Sequence, residues 1–560
     1  MTRPLRNIVR HSLILAAAGL LLPLMPAASG AAPAARPNIV VILVDDMGWS
    51  DIGPYGSEIP TPNLDALAKN GLRFTQFYNT GRCSPTRASV LTGHYPHQAG
   101  MGHLDGMVRE GSLGFQGRIA DTSVTIAEVL GNAGYFTAMT GKWHLGQQHG
   151  SPPWSRGFAR SLNLRAGGVH FAKQGGRKGT ANLYLNGEEK PLDAPEFGAD
   201  WYGTYLWTDW GLKFIDEALA ANKPFFLYLA HCAPHFPLMA PPEEIARFRG
   251  KYMSGWDKLR EDRHQRQIEM GLVDPKWRLS ERPPDSPPWN NVSRQEQDRF
   301  DQIMAIYAAM ISAIDKSVGM MVAGLKDRGV LDDTLILFLS DNGGNAESGP
   351  NGRAEGEPLG GPQSTVFLGM NWATLNNTPF RRYKHFTHEG GVATPLIAHW
   401  PKGIAPGNDR FYGSGARRRA AQGDLVDAPG HVIDIMATVV DLAGAAYPKT
   451  WNGHSICPME GVSLKPVFEG RKLARANPVF FEHEGNRGVR SGKWKLVSKY
   501  MEEWELYDLE ADRTELHDLA SARPDLARKL SQQWQEWAKR THTDPWIGPP
   551  RTDWGAEIKQ

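Results

Sequence analysis

Cys83-Ser84-Pro85-Thr86-Arg87, running into Ala88-Ser89-Val90-Leu91-Thr92-Gly93, spaces a thiol and a guanidinium about one helical turn apart. Pro85 suits a first helical turn, where a missing N–H costs little, and Ala88 to Leu91 continue with helix-compatible residues. The stretch predicts a loop entering a helix, with Cys83 just before the helix N-terminus. Free N–H groups and the helix dipole favour an anion there, and Arg87 reaches back to it. The chemistry described is that of an anion-handling nucleophile. Taken alone, the pair also fits a small buried cysteine beside a capping arginine. A thiolate phosphatase fits less well, because its loop needs more backbone between Cys and Arg and Pro85 removes a donor.

Two further places offer ligands for a hard cation. Asn38-Ile39-Val40-Val41-Ile42-Leu43-Val44 ends in Asp45 and Asp46, and Thr334-Leu335-Ile336-Leu337-Phe338-Leu339 ends in Ser340, Asp341 and Asn342. Adjacent carboxylates after a wholly apolar run are costly unless something neutralises them. Their oxygens favour Ca²⁺ or Mg²⁺. Lys142 and His144 follow Gly134-Tyr135-Phe136-Thr137-Ala138-Met139, and extended alternation puts both on one side. His235 follows the apolar run 224–230 and sits between Pro234 and Pro237, which stiffen its loop. His231, nearby, reads equally well as a structural histidine. Lys384 closes Thr378-Pro379-Phe380-Arg381-Arg382-Tyr383-Lys384.

The elements that must position these residues follow from the same runs. Continuous apolar strands rich in β-branched residues are buried on both faces, as in a parallel sheet, and ligands gather at the carboxyl ends of such strands. Strands alternate with helices, among them 61–68, 123–130, 300–325 and 431–443. This predicts an α/β domain over 37–460, with a mostly parallel central sheet flanked by helices. From 461 to 560 four short antiparallel strands and a helix near 524–540 predict a smaller α+β domain. Residues 150–220 read as long loops over the site and 240–298 as a Pro-rich, charged insertion.

The chain has 560 residues and a net charge of +2, so no strong field recommends nucleic acid as a partner. Arg3, Arg6 and Arg10 precede an apolar run over 13–25 and then small residues, which predicts a cleavable signal peptide over 1–32 and a periplasmic or secreted protein. The run is short for a bilayer span, so no stable membrane anchor is expected. The three cysteines, Cys83, Cys232 and Cys457, make no disulfide framework, although Cys232 and Cys457 could pair.

Cys83-x-Pro85-x-Arg87 with Leu91-Thr92-Gly93 resembles the signature of the type I, formylglycine-dependent sulfatases, of the alkaline phosphatase-like superfamily. The likeness runs along nearly the whole mature chain, and through 378–381 and His388-Glu389-Gly390-Gly391 it is nearest to the bacterial arylsulfatases. The resemblance implies that Cys83 is oxidised to formylglycine by a formylglycine-generating enzyme. It implies one Ca²⁺ bound by Asp45, Asp46, Asp341, Asn342 and residue 83. Arg87 would hold the aldehyde hydrate, which attacks sulfur, with Asp341 a plausible base for this step. Lys142 and Lys384 would offset sulfuryl charge, and His235, helped by Lys384, would serve the leaving oxygen. His144 would take a proton as sulfate is expelled. The substrate would be a small-molecule or glycan sulfate ester. A phosphate or phosphonate monoester hydrolase on the same scaffold and a non-catalytic binder of sulfated glycans are the alternatives.

Overall fold

The structure, a computed structural model, describes residues 1–2, 36–174, 182–404 and 424–552. The expected leader, apart from its first two residues, lies outside them. The described residues from Arg36 onward belong to one unit.

An eleven-stranded mixed sheet runs through it. From one edge the order is Asp424–Val426, Leu72–Tyr78, Ala393–His399, Thr334–Ser340, Asn38–Val44, Phe225–Ala230, Phe136–Lys142, Arg160–Leu164, Leu183–Leu185 and Glu188–Lys190, with Gly430–His431 also on Leu72–Tyr78. The five strands from Thr334–Ser340 to Arg160–Leu164 are all parallel. Antiparallel pairing enters on either side of them, at Ala393–His399 and at the hairpin 183–190. Asn38–Val44 is central and wholly buried, as its apolar run requires.

Register fixes where the chemistry can occur. Val44 pairs with Ser340, Leu43 with Ala230, and Gly141 also with Ala230. The carboxyl ends of four strands therefore lie level, and the next residues of each, Asp45, Asp341, His231 and Lys142, emerge on one rim. Gly141 permits the closest approach there. A Cβ on it would stand 1.9 Å from the Ala230 carbonyl oxygen, and its φ of +100° suits glycine alone.

Two stretches differ from expectation. The span 150–220 is not all loop: it holds Arg160–Leu164, the hairpin 183–190 and the helix Gly203–Ala220. Nine residues of that helix are buried, and it packs on the long helix Arg294–Asp327 and on the sheet. Gly211 lets it lie close to Leu227, so residues that dilute an apolar period in the sequence serve packing here. The segment 240–298 is bedded in the main core through Trp256 and Trp289, and its helix Gly255–Glu269 sends Arg263 to Asp51 and Glu58. Arg294–Asp327 is long and apolar enough to cross a membrane by composition, but 83% of that stretch is buried in the protein, as befits a core helix.

Beyond the main sheet, Val479–His483, Asn486–Ser491, Trp494–Ser498 and Glu505–Asp508 form an antiparallel sheet. The helix Pro524–Arg540 covers it through Leu530 and Trp537 against Phe480, Val489, Leu496 and Leu506. Cys232 and Cys457 do not pair; all three cysteines are free.

Candidate active site

Cys83 is the first residue of the helix Cys83–Thr92, not the residue before it; Arg82, in extended conformation, is the N-cap. Every residue of the helix is buried, so its amphipathic period vanishes and its start is aimed into the protein. Cys83 Sγ lies 3.6 Å from His144 Nδ1. One turn on, Arg87 is fully buried and donates from Nε and Nη2 to Asp341 Oδ2 at 3.0 and 2.8 Å. It lies 3.4 Å from Asp45 Oδ2 and donates to the Lys142 carbonyl at 3.0 Å. One guanidinium thus ties together the ends of three strands.

The two acidic pairs, far apart in the chain, converge. The Asp46 amide donates to Asp341 Oδ1 at 3.2 Å, and Asn342 Nδ2 donates to Asp46 Oδ1 at 2.8 Å. Lys142 Nζ is 2.5 Å from Asp45 Oδ2 and Lys384 Nζ 2.7 Å from Asp46 Oδ1. Asp46 holds φ at +69°, a left-handed conformation that aspartate tolerates better than most residues and that often marks functional sites. His144, at φ +57°, breaks the extended alternation expected after Lys142. Both side chains still face the site, because the left-handed turn redirects the imidazole.

The electrostatics follow from burial and from neighbouring charges. Burial pushes the Asp45 carboxyl up, but Lys142, His235 and Arg87 outweigh it and hold the group well below the usual carboxylate range. Asp341 is raised by burial and by the Asp45 charge, against Arg87. Burial lowers His144 to about 3 and His235 to about 4, with Lys142 adding to both. Lys384 is lowered by burial but raised beyond its ordinary value by Asp46 and Glu347.

The donor set fits a hard divalent cation. Asp45 Oδ1 and Asn342 Oδ1 are buried with no hydrogen-bond partner among the described residues. With the carboxylates of Asp46 and Asp341 they make an all-oxygen group, the kind Ca²⁺ takes. His235 Nε2 also stands 3.7 Å from Asp46 Oδ2, within ligand range of Asp45 and Asp46.

All ten residues singled out in the sequence meet here. His231 does not: it is buried against Ser317 at 3.0 Å. Sequence reasoning missed Asn345, which donates to Asp46 Oδ2 at 2.7 Å, and Asp105, 3.5 Å from His144 Nε2. It also missed Arg82, paired with Glu347 at 2.6 Å. Asn345 had a signal, an amide three residues past Asn342 in the same strand-end loop; Asp105 and Arg82 had none.

A buried nucleophile at a helix start, ringed by cations and hard oxygen donors at the carboxyl rim of an α/β sheet, defines a hydrolase of tetrahedral oxyanion esters. The chain belongs to the sulfatase family: the family model described as Sulfatase matches residues 37–445, and that of N-sulphoglucosamine sulphohydrolase, C-terminal, matches 382–540. It is similar to an uncharacterized sulfatase of Schizosaccharomyces pombe, 33% identical over 538 residues, covering 89% of this chain and 93% of that one. It is also similar to an arylsulfatase of Klebsiella aerogenes, 32% identical, covering 80% and 95%. Among solved structures, Ps i-CgsB in complex with k-i-k-neocarrahexaose superposes with a TM-score of 0.66 at 26% identity, over 91% of this chain and 95% of that one. The fold is alkaline phosphatase-like, and the protein is a sulfatase acting on sulfate esters.

Proposed function

We propose that this sulfatase cleaves sulfate monoesters with Cys83 oxidised to formylglycine as nucleophile and with one Ca²⁺ held by Asp45, Asp46, Asp341, Asn342 and residue 83. One observation supports this above the others. Cys83, three cationic side chains and four oxygen-bearing side chains from distant parts of the chain meet in one buried cleft. An ordinary alcohol nucleophile would leave a sulfate ester needing a second S–O cleavage, whereas a hydrated aldehyde releases sulfate by breaking its own C–O bond. The cation, when bound, offsets charge on sulfuryl oxygens and lowers the pKa of a hydroxyl beside it.

The chain's own residues do the rest. Arg87 fixes the side chain at 83 against Asp341. Lys142 and Lys384 bring ammonium groups to opposite sides of the acidic cluster, where they stabilise the sulfuryl oxygens. His144 Nδ1 lies 3.6 Å from the side chain of residue 83 and takes the proton of its hydroxyl; Asp105, on the other ring nitrogen, orients that lone pair. His235 Nδ1 donates to the Phe236 carbonyl at 2.6 Å, which leaves Nε2 toward Asp46. With Lys384 it serves the leaving oxygen. Beside Asp46 the wall is apolar, with Phe236 stacked on Phe367 at 4.3 Å. That wall suits a ring-bearing substrate, an aryl or sugar sulfate, in keeping with the carrahexaose held by Ps i-CgsB.

Cys83 is only 2% exposed, so the formylglycine-generating enzyme must reach it before the chain closes. We place the mature protein in the periplasm or outside the cell, through its 1–32 leader. Mass spectrometry of the Cys83 peptide from active native protein tests the nucleophile: the aldehyde is expected, and an intact thiol in fully active protein overturns it. Comparing kcat/KM for a sulfate and a phosphate ester of one phenol tests the reaction: sulfate is expected to win, and a phosphate preference moves the chain to the phosphate or phosphonate reading.

A further inference from the structure

Next to the catalytic cleft, beyond His385, His103, His483 and Glu484 bring two imidazoles and a carboxylate together, with ligand atoms all within 4.8 Å of one another. His483 ends the strand Val479–His483, and Glu484 occupies the tight turn into Asn486–Ser491. His103 arrives from the loop after the helix Cys83–Thr92. All three are buried. His103 Nε2 is 2.8 Å and His483 Nε2 3.6 Å from the same oxygen, Glu484 Oε1. The two rings stack at 5.1 Å, and Trp546 covers His103 at 5.3 Å.

His483 is the informative residue. It is fully buried, and among the described residues neither of its ring nitrogens has a hydrogen-bond partner. A neutral imidazole carries one N–H and one lone pair, and leaving either unmet in the interior is costly. His103 Nδ1 is unmet as well. Burial holds both imidazoles below their ordinary range, in the neutral form that ligates metal. Glu484 adopts φ +53° and Gly485 +78°, in a turn that demands two left-handed residues. Glycine meets that demand freely; glutamate does not, and its placement carries a carboxylate inward. The other groups facing it are His385, whose Nδ1 is 2.7 Å from Glu484 Oε2, Arg551, which reaches Oε1, and Arg82, which stands behind His385 at 3.0 Å and whose charge bears on all three residues.

We propose that His103, His483 and Glu484 form a second metal site, for a borderline divalent ion of which Zn²⁺ is the type, separate from the hard-oxygen site. Two imidazoles and a carboxylate match zinc, with a water as fourth ligand, and they are a poor set for Ca²⁺. Such an ion would clamp the C-terminal hairpin to the loop that carries His103.

The test is calorimetric titration of Zn²⁺ into the full-length protein, stripped with chelator and reloaded with Ca²⁺. Uptake of about one equivalent is expected. H103Q and H483Q should weaken it by about tenfold or more, while D341N, which breaks the oxygen site, should not. Co²⁺ should give a tetrahedral visible spectrum that both histidine variants lose. No uptake by folded wild type, or uptake lost in D341N and kept in H483Q, overturns the proposal. Should the histidine variants fail to fold, R551A decides: removing the competing guanidinium should tighten Zn²⁺, and unchanged or weaker binding overturns the site.

Discussion

Of the buried charge clusters among the described residues, two make a contrast that separates chemistry from architecture. Under the C-terminal sheet, Glu389 and Glu515 meet Lys495 and Arg513. Glu389 Oε1 is 2.8 Å from Lys495, and Oε2 is 3.0 Å from Arg513 and 3.1 Å from the Tyr78 hydroxyl. Glu515 Oε1 is 2.8 Å from Lys495, and Oε2 accepts from the Glu389 amide at 2.9 Å. All four carboxylate oxygens there have a donor or a cation. In the catalytic cleft an equal balance of acids and bases leaves Asp45 Oδ1 and Asn342 Oδ1 with none. The atoms left over differ in kind: in the first cluster they are chiefly donors, Arg513 Nη1 and Nη2, with Glu515 Oε1 met by the Lys495 charge alone, whereas the second keeps oxygen acceptors in reserve, beside a strained Asp46 and His144.

The contrast breaks first at the nucleophile. C83A should lower kcat at least about 10³-fold, as loss of an activated nucleophile does, while costing only about 1 kcal/mol of unfolding free energy, as an ordinary buried truncation does. Steady-state assays and urea unfolding on the same preparation check both halves. K495M should do the reverse. It strands Glu389 and Glu515 in the interior and should cost about 3–5 kcal/mol of stability. Near-native turnover by the surviving folded fraction would confirm that the seam is architectural; a kcat collapse at full stability would merge the two clusters into one.

Calcium removal gives a smaller effect that the cleft should show and the seam should not. Chelation should abolish turnover and lower stability by about 2.7 kcal/mol relative to Ca²⁺ at about a hundred times its Kd. Added Ca²⁺ should restore both. D341N should show no calcium-dependent shift in Tm, whereas K495M should keep it.

The cleft was far more legible in the sequence than the seam, for a physical reason. Asp45, Asp341 and Lys142 each follow or end an apolar strand, and parallel register sets strand ends level. A local pattern therefore reported a global position. Lys495 and Glu389 lie more than a hundred residues apart on elements with no shared period, and nothing local marks them as partners. The helix Gly203–Ala220 was hidden because Gly211 and its tryptophans serve close packing and blur the apolar stripe.

The weakest expected effect sharpens the boundary of the seam. Glu505, on the last strand of the C-terminal sheet, pairs with Arg381 and lies 3.3 Å from His388 Nε2. Burial raises its carboxyl, but His388 and Arg381 outweigh that and hold it far below its ordinary 4.5. The unfolded chain therefore binds a proton near pH 4.5 while the folded one still resists it. The pairing stabilises above that pH and is lost as pH falls below it. E505Q should remove part of the acid-side loss and cost roughly 1 kcal/mol at neutral pH, a modest figure because the pair is partly exposed. Unfolding free energy measured from pH 7 down to pH 3.5 decides the matter. Parallel curves for wild type and variant would mean that Glu505 contributes nothing to acid stability, and that the seam ends at Glu389 and Glu515.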